Sequence, residues 1–435
     1  MKNFIIVVFI LYSISIVFSA RGDLIWRYKT GDSVKSSPYV NSTTVFVGSN
    51  DTYIYALKRT NGDLIWRYKT GGEVISSPYL YGNMIFAGSR DGVMYAIQAD
   101  NGSILWTFNA GQPIISSPNI HGYWSSGRLV LGSDNSKIYE IDYYSGEIYY
   151  TTNTNAAVVT KADGFTNGCP WYSMGDISGT LWTIIPGQGI ADRINMQSPI
   201  YSSVAVHGSA GYRYFGTIDG KMHCLNTAQH SPLVLWEYQT EGAIYSSPKL
   251  VVSKGKLYFG SRDGYLYSLY SGDGSLEWRF KTNGSIDSSP FYYYNYIFFG
   301  SNDSYVYCIK ATDGSLYWKY QTGGEVNSSP SVSLGTVIVG SNDGYIYAIE
   351  TSEETDFDKQ ENYSIIPAKS FSASPNPFSS RLSISLPSSG AVYSLTGQLV
   401  MNLTKGKHSL DTSKWKEGVY VVKAGKECKR VVKVN

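Results

Sequence analysis

The side chains that most often perform catalysis or bind metals are few and dispersed in this 435-residue chain. Thiol chemistry could use four cysteines, Cys169, Cys224, Cys308 and Cys428. None of them forms a Cys-x-x-Cys pair, and none stands near a histidine at a known zinc-binding spacing. Cys224 and Cys308 occupy slots that hold alanine in other copies of an internal repeat, which indicates small core residues. The sequence predicts neither a metal site nor a cofactor site.

Carboxylates show no catalytic arrangement either. Asp91, Asp263 and Asp343 stand in the same short turn of different repeats, and this recurrence favours a turn-building role over acid–base chemistry. The chain has no Gly-x-x-x-x-Gly-Lys-Ser/Thr phosphate loop, no His-Glu-x-x-His motif and no Gly-x-Ser-x-Gly elbow. We therefore expect a protein that is not an enzyme.

The elements that position these residues come from a repeat that occurs eight times. A Gly-Ser-x-Asp-Gly turn, sometimes degenerate, begins at Gly48, Gly88, Gly132, Gly175, Gly216, Gly260, Gly300 and Gly340. Ser-Ser-Pro begins at Ser36, Ser76, Ser116, Ser246, Ser288 and Ser328, and its other two slots hold Thr160-Lys161-Ala162 and Ser202-Ser203-Val204. A fixed period of this length in a β-rich sequence predicts an all-β, eight-bladed β-propeller.

Each repeat has enough residues for a four-stranded blade. In the second copy we expect strands at 76–80, 84–87, 93–98 and 103–108, joined by turns rich in Gly, Asn and Asp. The mature chain begins with an outer strand at Asp23–Tyr28, and the last copy stops after its third strand at Glu350. The N-terminus is therefore predicted to complete the last blade and to close the ring.

The residue before each Ser-Ser-Pro is expected to surround one mouth of the central channel. Blades two to six present apolar or aromatic groups there, including Val159, and the other blades present polar ones. The candidate ligand-binding residues are Lys35, Ile75, Ile115, Tyr201, Tyr245, Asp287 and Asn327. A mouth that is apolar on one side and polar on the other could hold a peptide or a glycan. Ordinary packing at the top of the blades is the alternative.

Repeats three to five depart from the pattern. The stretches His121–Gly127 and His207–Tyr212 lengthen the first hairpin of their blades, and Phe165–Trp171 does not follow the repeat. Tyr150 and Arg193 replace the tryptophan that ends Gly-x-x-x-Trp in other copies. These departures indicate either sequence drift or a partner surface built on loops over a rigid scaffold.

Composition and the termini limit the partners and the location. The formal net charge of +2 gives no reason to expect a nucleic-acid partner. Residues 1–20 have the pattern of a signal peptide, 21–350 form the propeller, 351–370 are an acidic and polar linker, and 371–435 form a small C-terminal domain. No transmembrane segment is expected in the mature chain. Strands of the tail are predicted at 382–386, 391–395, 399–403, 418–424 and 429–434.

The repeat Gly-Ser-x-Asp-Gly-x-x-Tyr-Ala, followed by a turn and Gly-x-x-x-Trp, resembles the eight-bladed pyrroloquinoline-quinone-type propellers. The run from Ala56 to Trp66 is similar to that family's tryptophan-docking motif. The quinone dehydrogenases of the family use an adjacent Cys-Cys pair, a calcium ion and a catalytic aspartate on a longer chain, and no two cysteines are adjacent here. Members without these features are binding scaffolds, including a periplasmic lipoprotein that helps to insert outer-membrane proteins.

The tail resembles the type A C-terminal sorting domain of the bacterial type IX secretion system. The matching blocks are Pro375-Asn376-Pro377, residues 392–400, residues 410–413, residues 418–422 and residues 431–434. The resemblance implies contact with the secretion machinery, removal of the tail, and release or attachment at the outer-membrane surface. A generic immunoglobulin-like module is the alternative, and a small immunoglobulin-like β-sandwich is the expected fold.

These observations predict a secreted or cell-surface, non-catalytic binding propeller with an unknown protein or glycan ligand on one face. Two alternatives stay open. One is an enzyme similar to the quinone-dependent dehydrogenases, and the other is an envelope assembly scaffold. The absence of a lipidation cysteine near the signal peptide counts against the second.

Overall fold

The computed structural model describes residues 21–121, 128–164, 171–207, 211–227 and 232–351, together with 372–374, 381–386, 389–394, 399–404, 406–413, 418–424 and 427–433. The chain divides into two compact units, residues 1–355 and 356–435. Within the described residues, no helix is long and apolar enough to cross a bilayer. The predicted signal peptide, nearly all of the linker, and the irregular stretches 122–127 and 165–170 lie outside the described residues.

The first unit confirms the predicted propeller, because eight antiparallel sheets of four strands follow one another along the chain. Blade 1 contains β2 (Tyr39–Val40), β3 (Thr44–Gly48), β4 (Tyr53–Lys58) and β5 (Leu64–Lys69). Blade 2 contains β6 (Tyr79–Tyr81), β7 (Met84–Gly88), β8 (Val93–Gln98) and β9 (Ile104–Asn109). Blade 3 contains β10 (Asn119–His121), β11 (Arg128–Ser133), β12 (Lys137–Asp142) and β13 (Ile148–Asn153).

The next three blades have the same strand order. Blade 4 contains β14 (Asp163–Gly164), β15 (Tyr172–Gly175), β16 (Thr180–Ile185) and β17 (Gly189–Asn195). Blade 5 contains β18 (Ala205–His207), β19 (Tyr212–Gly216), β20 (Lys221–Asn226) and β21 (Leu233–Gln239). Blade 6 contains β22 (Lys249–Val251), β23 (Lys256–Gly260), β24 (Tyr265–Tyr270) and β25 (Leu276–Lys281), with one 3-10 turn at Val252–Lys254.

The last blade is completed by the N-terminal strand, as predicted. Blade 7 contains β26 (Phe291–Tyr293), β27 (Tyr296–Ser301), β28 (Tyr305–Lys310) and β29 (Leu316–Gln321). Blade 8 contains β30 (Ser331–Ser333), β31 (Thr336–Gly340), β32 (Tyr345–Glu350) and β1 (Leu24–Lys29). Strand β1 pairs with β32, with Trp26 opposite Ala348. The ring closure therefore leaves blade 8 with the same four strands as every other blade.

The core lies between neighbouring blades, and glycines let the blades approach closely. A Cβ atom on Gly48 would lie only 2.3 Å from Cγ1 of Val74, which opens the next blade, and the equivalent glycine of each blade is similarly crowded. Cys224 and Cys308 are fully buried and stand opposite Trp236 and Trp318, as Ala56 stands opposite Trp66. The prediction that these two cysteines are small core residues is confirmed.

The outer-strand tryptophans join one blade to the next. The indole N–H of Trp66 donates to the carbonyl oxygen of Ala99 at 2.9 Å. The indole also covers Gly102, which has a φ of +76° and where a Cβ atom would lie 2.8 Å from the ring. The equivalent indole N–H donates to a backbone carbonyl oxygen of the following blade at Trp26, Trp106, Trp236, Trp278 and Trp318. The Gly-x-x-x-Trp motif thus encodes an inter-blade contact in which both residues are needed.

The innermost strands are shorter than expected. In blade 2 the strand begins at Tyr79 and not at Ser76, because the Ser77 N–H donates to Ser117 Oγ of blade 3 at 2.9 Å. The first serine of the motif is fully buried in every blade that has one, and Ser36 Oγ donates to the carbonyl oxygen of Ser76 at 3.0 Å. Ser-Ser-Pro therefore bonds around the ring and does not extend the ladder within its own blade.

The second unit contains two antiparallel sheets. One consists of β33 (Ser372–Ser374), β34 (Arg381–Leu386) and β37 (Gly406–Asp411), and the other of β35 (Gly390–Ser394), β36 (Leu399–Leu403), β38 (Gly418–Ala424) and β39 (Glu427–Lys433). All five predicted strands are present within one or two residues, except that Leu395 and Val434 lie outside the described residues. Sequence reasoning missed β33 and β37. The immunoglobulin-like sandwich remains a prediction.

Candidate functional site

Solvent exposure alternates along the residues around Ser-Ser-Pro. In blade 1, Ser36 and Pro38 are buried, whereas Lys35 is exposed and Ser37 and Tyr39 are half-buried. The channel contains a cavity of about 430 Å³. It is lined by residues 37–39, 77–79, 117–118, 161, 163, 203–204, 247–248, 289 and 329. The predicted mouth residues, such as Lys35, therefore precede the first cavity-lining residue of their blade by two positions.

The predicted mouth residues lie beside the Gly-Ser-x-Asp-Gly turns of the preceding blade. Asp287 contacts Arg262, the variable residue of the blade 6 turn, and Asn327 contacts Asn302, the variable residue of the blade 7 turn. We call this end of the ring the turn face. It combines one residue before each Ser-Ser-Pro with the variable residue of each turn, so two positions per repeat contribute to it.

The turn face brings Tyr201, Tyr245 and Asp287 together in a continuous stack. The rings of Tyr201 and Tyr245 have centroids 5.0 Å apart and are inclined by 39°. The guanidinium carbon of Arg262 lies 3.8 Å from the centroid of Tyr245. Arg262 Nε and Nη2 donate to the two carboxylate oxygens of Asp287 at 2.8 and 3.1 Å. We call these four residues the aromatic ladder.

The aromatic ladder is ordered by charge as well as by stacking. Hydrogen bonding to Asp287, partly offset by burial, raises the pKa of Arg262, so the guanidinium stays charged. Tyr201 is 36% exposed and forms the open end of the ladder. A cation held over a ring and fixed by a bidentate carboxylate is pre-organised, because its rotamers are already restricted before a partner arrives.

The other side of the turn face carries amides. Asn327 Nδ2 donates to Asn302 Oδ1 at 2.8 Å, and Asn342 Nδ2 donates to Asn327 Oδ1 at 2.6 Å. Ile75 and Ile115 are half-buried, and Lys35 is exposed and forms no ion pair with the described residues. The structure therefore groups Tyr201, Tyr245 and Asp287 on one side and places Asn327 in a separate amide network.

Sequence reasoning missed Arg262. The residue stands at the variable position of the turn, which holds Asn50, Arg90, Asp134, Ile177, Ile218, Asn302 and Asn342 in other blades. Variation at one position of an otherwise regular turn was the available signal. Arg262 completes the ladder because its side chain spans from blade 6 to Asp287 of blade 7.

One buried group has the order of a catalytic triad. Thr217 Oγ1 lies 3.0 Å from Nε2 of His223, and His223 Nδ1 lies 2.9 Å from Oε1 of Glu237, although its alignment is poor for a hydrogen bond. Thr217 is completely buried and His223 is 2% exposed, so no substrate reaches the hydroxyl. This group occupies the slots of a turn serine and a core tyrosine in other blades, and it supports the blade 5 turn.

The described residues offer no other reactive centre. Burial raises the pKa of the Cys224 thiol to about 12 and that of Cys308 well above its usual value, so both thiols stay protonated. Among the described residues, no group of three or more His, Cys, Asp or Glu side chains could hold a metal ion. The turn face is therefore the most developed candidate site for a partner.

Solved structures share the fold at low identity. A computationally designed protein, Ika8, covers 76% of this chain and 100% of its own, with 17% identity and a TM-score of 0.64. BamB from Moraxella catarrhalis covers 75% and 97%, with 14% identity and a TM-score of 0.63. Sqt1 from Saccharomyces cerevisiae covers 77% and 99%, with 14% identity and a TM-score of 0.65. No curated protein matches the chain.

Two family models match the sequence. The model of the secretion system C-terminal sorting domain matches residues 372–434, so the chain is exported by type IX secretion to the cell surface or the outer membrane, and the tail contacts the secretion machinery. The second model is described as outer membrane protein assembly factor BamB, and it matches residues 13–148 and 285–398. These stretches cover more than half of the chain, and the match omits residues 149–284, which include blades 4, 5 and 6. The chain therefore belongs to this PQQ-like family of β-propeller proteins.

Proposed function

We propose that the protein is a non-catalytic binding module, displayed at the cell surface, that captures a protein or glycan partner on its turn face. The observation that carries the proposal is the aromatic ladder of Tyr201, Tyr245, Arg262 and Asp287. It joins blades 5, 6 and 7 at the channel mouth.

The composition of the ladder suits binding. Tyrosine and arginine dominate the energetics of many interfaces, because they bury a large area and still form polar contacts. The open end at Tyr201 offers a ring face to a sugar or a side chain, and the Arg262–Asp287 pair offers polar groups at the other end. Because the members already hold one another in place, binding fixes few additional rotamers.

We also propose that the protein has no catalytic activity. The quinone dehydrogenases use an adjacent Cys-Cys pair, whereas the two free cysteines among the described residues, Cys224 and Cys308, are buried in different blades, 5 and 7. The purified protein is therefore expected to show no quinone absorbance and no dye-linked oxidation of alcohols or sugars. A dye-linked activity would replace the binding proposal with the dehydrogenase alternative.

The binding proposal is tested with the secreted full-length protein on glycan and peptide arrays, followed by affinity measurement on the best partner. Tyr201→Ala combined with Tyr245→Ala should weaken binding at least about tenfold, or about 1.4 kcal/mol, because it removes both rings of the ladder. Tyr144→Ala is the matched control, since Tyr144 is 68% exposed and stands in the turn at the opposite end of the blade 3 strands. Equal affinity of both variants and the parent protein would refute the proposed site. Capture of an outer-membrane assembly component would favour the envelope-scaffold alternative.

A further inference from the structure

A ring of serine hydroxyls surrounds the channel cavity. The second residue of each Ser-Ser-Pro slot lines it, and this residue is Ser37, Ser77, Ser117, Lys161, Ser203, Ser247, Ser289 or Ser329. Apart from Ser117, whose next slot holds Lys161, the N–H of each serine donates to the serine hydroxyl of the next blade, for example from Ser247 to Ser289 at 2.9 Å and from Ser329 to Ser37 at 2.9 Å. We call these eight residues the channel ring.

The serine hydroxyls of the channel ring can donate hydrogen bonds to a ligand in the cavity. All seven serines of the ring follow one scheme, in which Oγ accepts a backbone N–H from the preceding blade. A hydroxyl has one donor and two acceptor positions. Within the described residues these hydroxyls donate to no protein acceptor, so the cavity wall presents both O–H donors and free lone pairs.

Lys161 breaks the ring with a positive charge. Its backbone continues the pattern, because Lys161 N–H donates to Ser203 Oγ at 3.0 Å. Its ammonium group lies 5.6 Å from the ring centroid of Tyr79 in blade 2, and it forms no ion pair with the described residues. Burial lowers the pKa of Lys161, Asp163 raises it and Lys249 lowers it. The cavity wall thus carries one ammonium group, from Lys161, and one carboxylate, from Asp163, and Lys249 lies near enough to Lys161 to affect its pKa.

Aromatic rings stand beside this charge. Tyr39 and Tyr79 line the same cavity, and their rings meet edge to face with centroids 6.2 Å apart. A volume of about 430 Å³ is sufficient for a ligand of monosaccharide size. Ring faces pack against the apolar side of a sugar, hydroxyls bond to its hydroxyls, and an ammonium group pairs with a carboxylate.

We propose that the central channel is a binding site for an acidic monosaccharide unit, with its carboxylate on Lys161 and its hydroxyls on the serines of the channel ring. This site is separate from the turn face and does not rest on the ladder. Serine fills the slot of Lys161 in the other blades, so the lysine is not required by the geometry of the ring. Its charge is instead the property that separates an acidic sugar from a neutral one.

The repeat itself supplies the test variant. Lys161→Ser restores the residue found in the other seven blades, so we expect it to fold and to melt at the same temperature as the parent protein or higher. The probe is D-glucuronate, titrated into the full-length protein by calorimetry, with D-glucose and acetate as probes that carry only the hydroxyls or only the carboxylate. Lys58→Ser is the control, since Lys58 is an exposed lysine paired with Asp63 on a distant turn.

We expect D-glucuronate to bind the parent protein and Lys58→Ser equally, and to bind Lys161→Ser at least about tenfold more weakly. D-Glucose and acetate should each bind the parent protein at least about tenfold more weakly than D-glucuronate, because each lacks half of the contacts. No saturable binding of D-glucuronate at about 10 mM, which excludes even a millimolar dissociation constant, would overturn the proposal. Unchanged binding by Lys161→Ser would also overturn it, and acetate binding as tightly as D-glucuronate would refute recognition of the sugar.

The outcome is independent of the function proposed for the turn face. Tyr201→Ala combined with Tyr245→Ala should leave D-glucuronate affinity unchanged, because neither ring lines the channel cavity. Lys161→Ser should leave the array partner of the turn face unaffected. Either site can therefore fail while the other is supported.

Discussion

The blades on the two sides of the ring are built from the same strands but held together by different side chains. In blades 1, 2, 6, 7 and 8 the tyrosine at the third position of the third strand donates its hydroxyl hydrogen to the turn aspartate, for example from Tyr55 to Asp51 at 2.6 Å and from Tyr307 to Asp303 at 2.6 Å. Burial, reinforced by the carboxylate, raises the pKa of these tyrosines, so they remain donors. We call these five blades the regular sector.

Blades 3, 4 and 5, the irregular sector, fill the same slots with other pairs. In blade 3 Asn135 Nδ2 donates to the Tyr139 hydroxyl oxygen at 2.7 Å, and in blade 4 the indole N–H of Trp182 donates to Asp176 at 2.8 Å. Blade 5 has His223 in the tyrosine slot. Each substitute still reaches its own turn, so the strand positions persist although the chemistry differs.

The interface between blades 3 and 4 shows the largest change. Glu140, only 1% exposed, stands in the slot that holds alanine, serine or cysteine in the regular sector. It accepts hydrogen bonds from the Tyr172 hydroxyl at 3.0 Å and from the Gly187 N–H at 2.8 Å. Burial raises the pKa of Glu140, although these two hydrogen bonds act to lower it. A buried carboxyl group is stable there because its oxygens have partners.

The ring therefore constrains the spacing of the backbone strands more than the identity of the side chains between them. The replaced side chains have new partners, either in their own turn or, for Glu140, in the neighbouring blade. The irregular sector also supplies Lys161 of the channel ring and Tyr201 of the ladder. The regular sector carries the closure and most of the tryptophan contacts. Both candidate binding sites therefore draw on blades whose sequence has departed from the repeat.

We expect the largest effect from removing the N-terminal strand, which closes the ring in the regular sector. Deletion of Asp23–Tyr28 removes β1 and Trp26, which is 7% exposed and bonds to the carbonyl oxygen of Arg59 at 2.8 Å. We expect the free energy of unfolding to fall by more than about 5 kcal/mol, because loss of one buried tryptophan alone costs about 3–5 kcal/mol. Thermal and denaturant unfolding measure this loss, with Trp26→Ala as an intermediate case. A deletion variant that melts like the parent protein would show that the ring does not depend on its closure.

One contact between blades in the regular sector should stabilise the fold more than the equivalent contact in the irregular sector. Trp66→Ala should cost about 3–5 kcal/mol, because the indole is 8% exposed and bonded to Ala99. Tyr150 is half-buried, and its hydroxyl reaches the carbonyl oxygen of Gln188 only at 3.4 Å. Tyr150→Ala should therefore cost less than about 2 kcal/mol. Denaturant titration of both variants compares the contacts, and equal losses would contradict a stronger interlock in the regular sector.

The sequence was sufficient for features that depend on period and size. The eight blades, the closure by the N-terminal strand, predicted at 23–28 and observed at 24–29, and the small core slots of Cys224 and Cys308 all followed from aligned repeats. The short innermost strands did not, because the bonds of Ser-Ser-Pro run to the next blade, and a pattern within one repeat does not show a contact with another.

The candidate sites were predicted only in part for the same reason. Tyr201, Tyr245 and Asp287 were placed at the mouth, but their stacking depends on Arg262 from a turn of a different repeat. The lysine at position 161 was visible as an exception in the Ser-Ser-Pro slot. Its significance required the cavity and the hydroxyls that surround it.

The smallest expected effect concerns pH and separates blade 5 from its regular neighbours. Burial, which outweighs the opposing effects of Glu237 and Asp219, lowers the pKa of His223 from its usual 6.5. Because the unfolded chain then binds a proton more readily than the folded one, His223 stabilises the fold above about pH 6.5 and loses this contribution as the pH falls. The loss is at most about 1.4 kcal/mol for each pH unit.

His223→Tyr restores the residue of the regular sector and should remove this pH dependence. A tyrosine fits the slot, since Phe215 stacks on His223 with centroids 5.2 Å apart and Phe259 stacks on Tyr267 at the same distance. Asp219 occupies the position of the turn aspartates that accept the tyrosine hydroxyl in the regular sector. Denaturant unfolding at pH 8 and pH 5 should show a smaller loss on acidification for the variant than for the parent protein. An equal loss in both would mean that the acid sensitivity of the ring arises elsewhere, and that blade 5 tolerates its histidine as readily as its neighbours tolerate tyrosine.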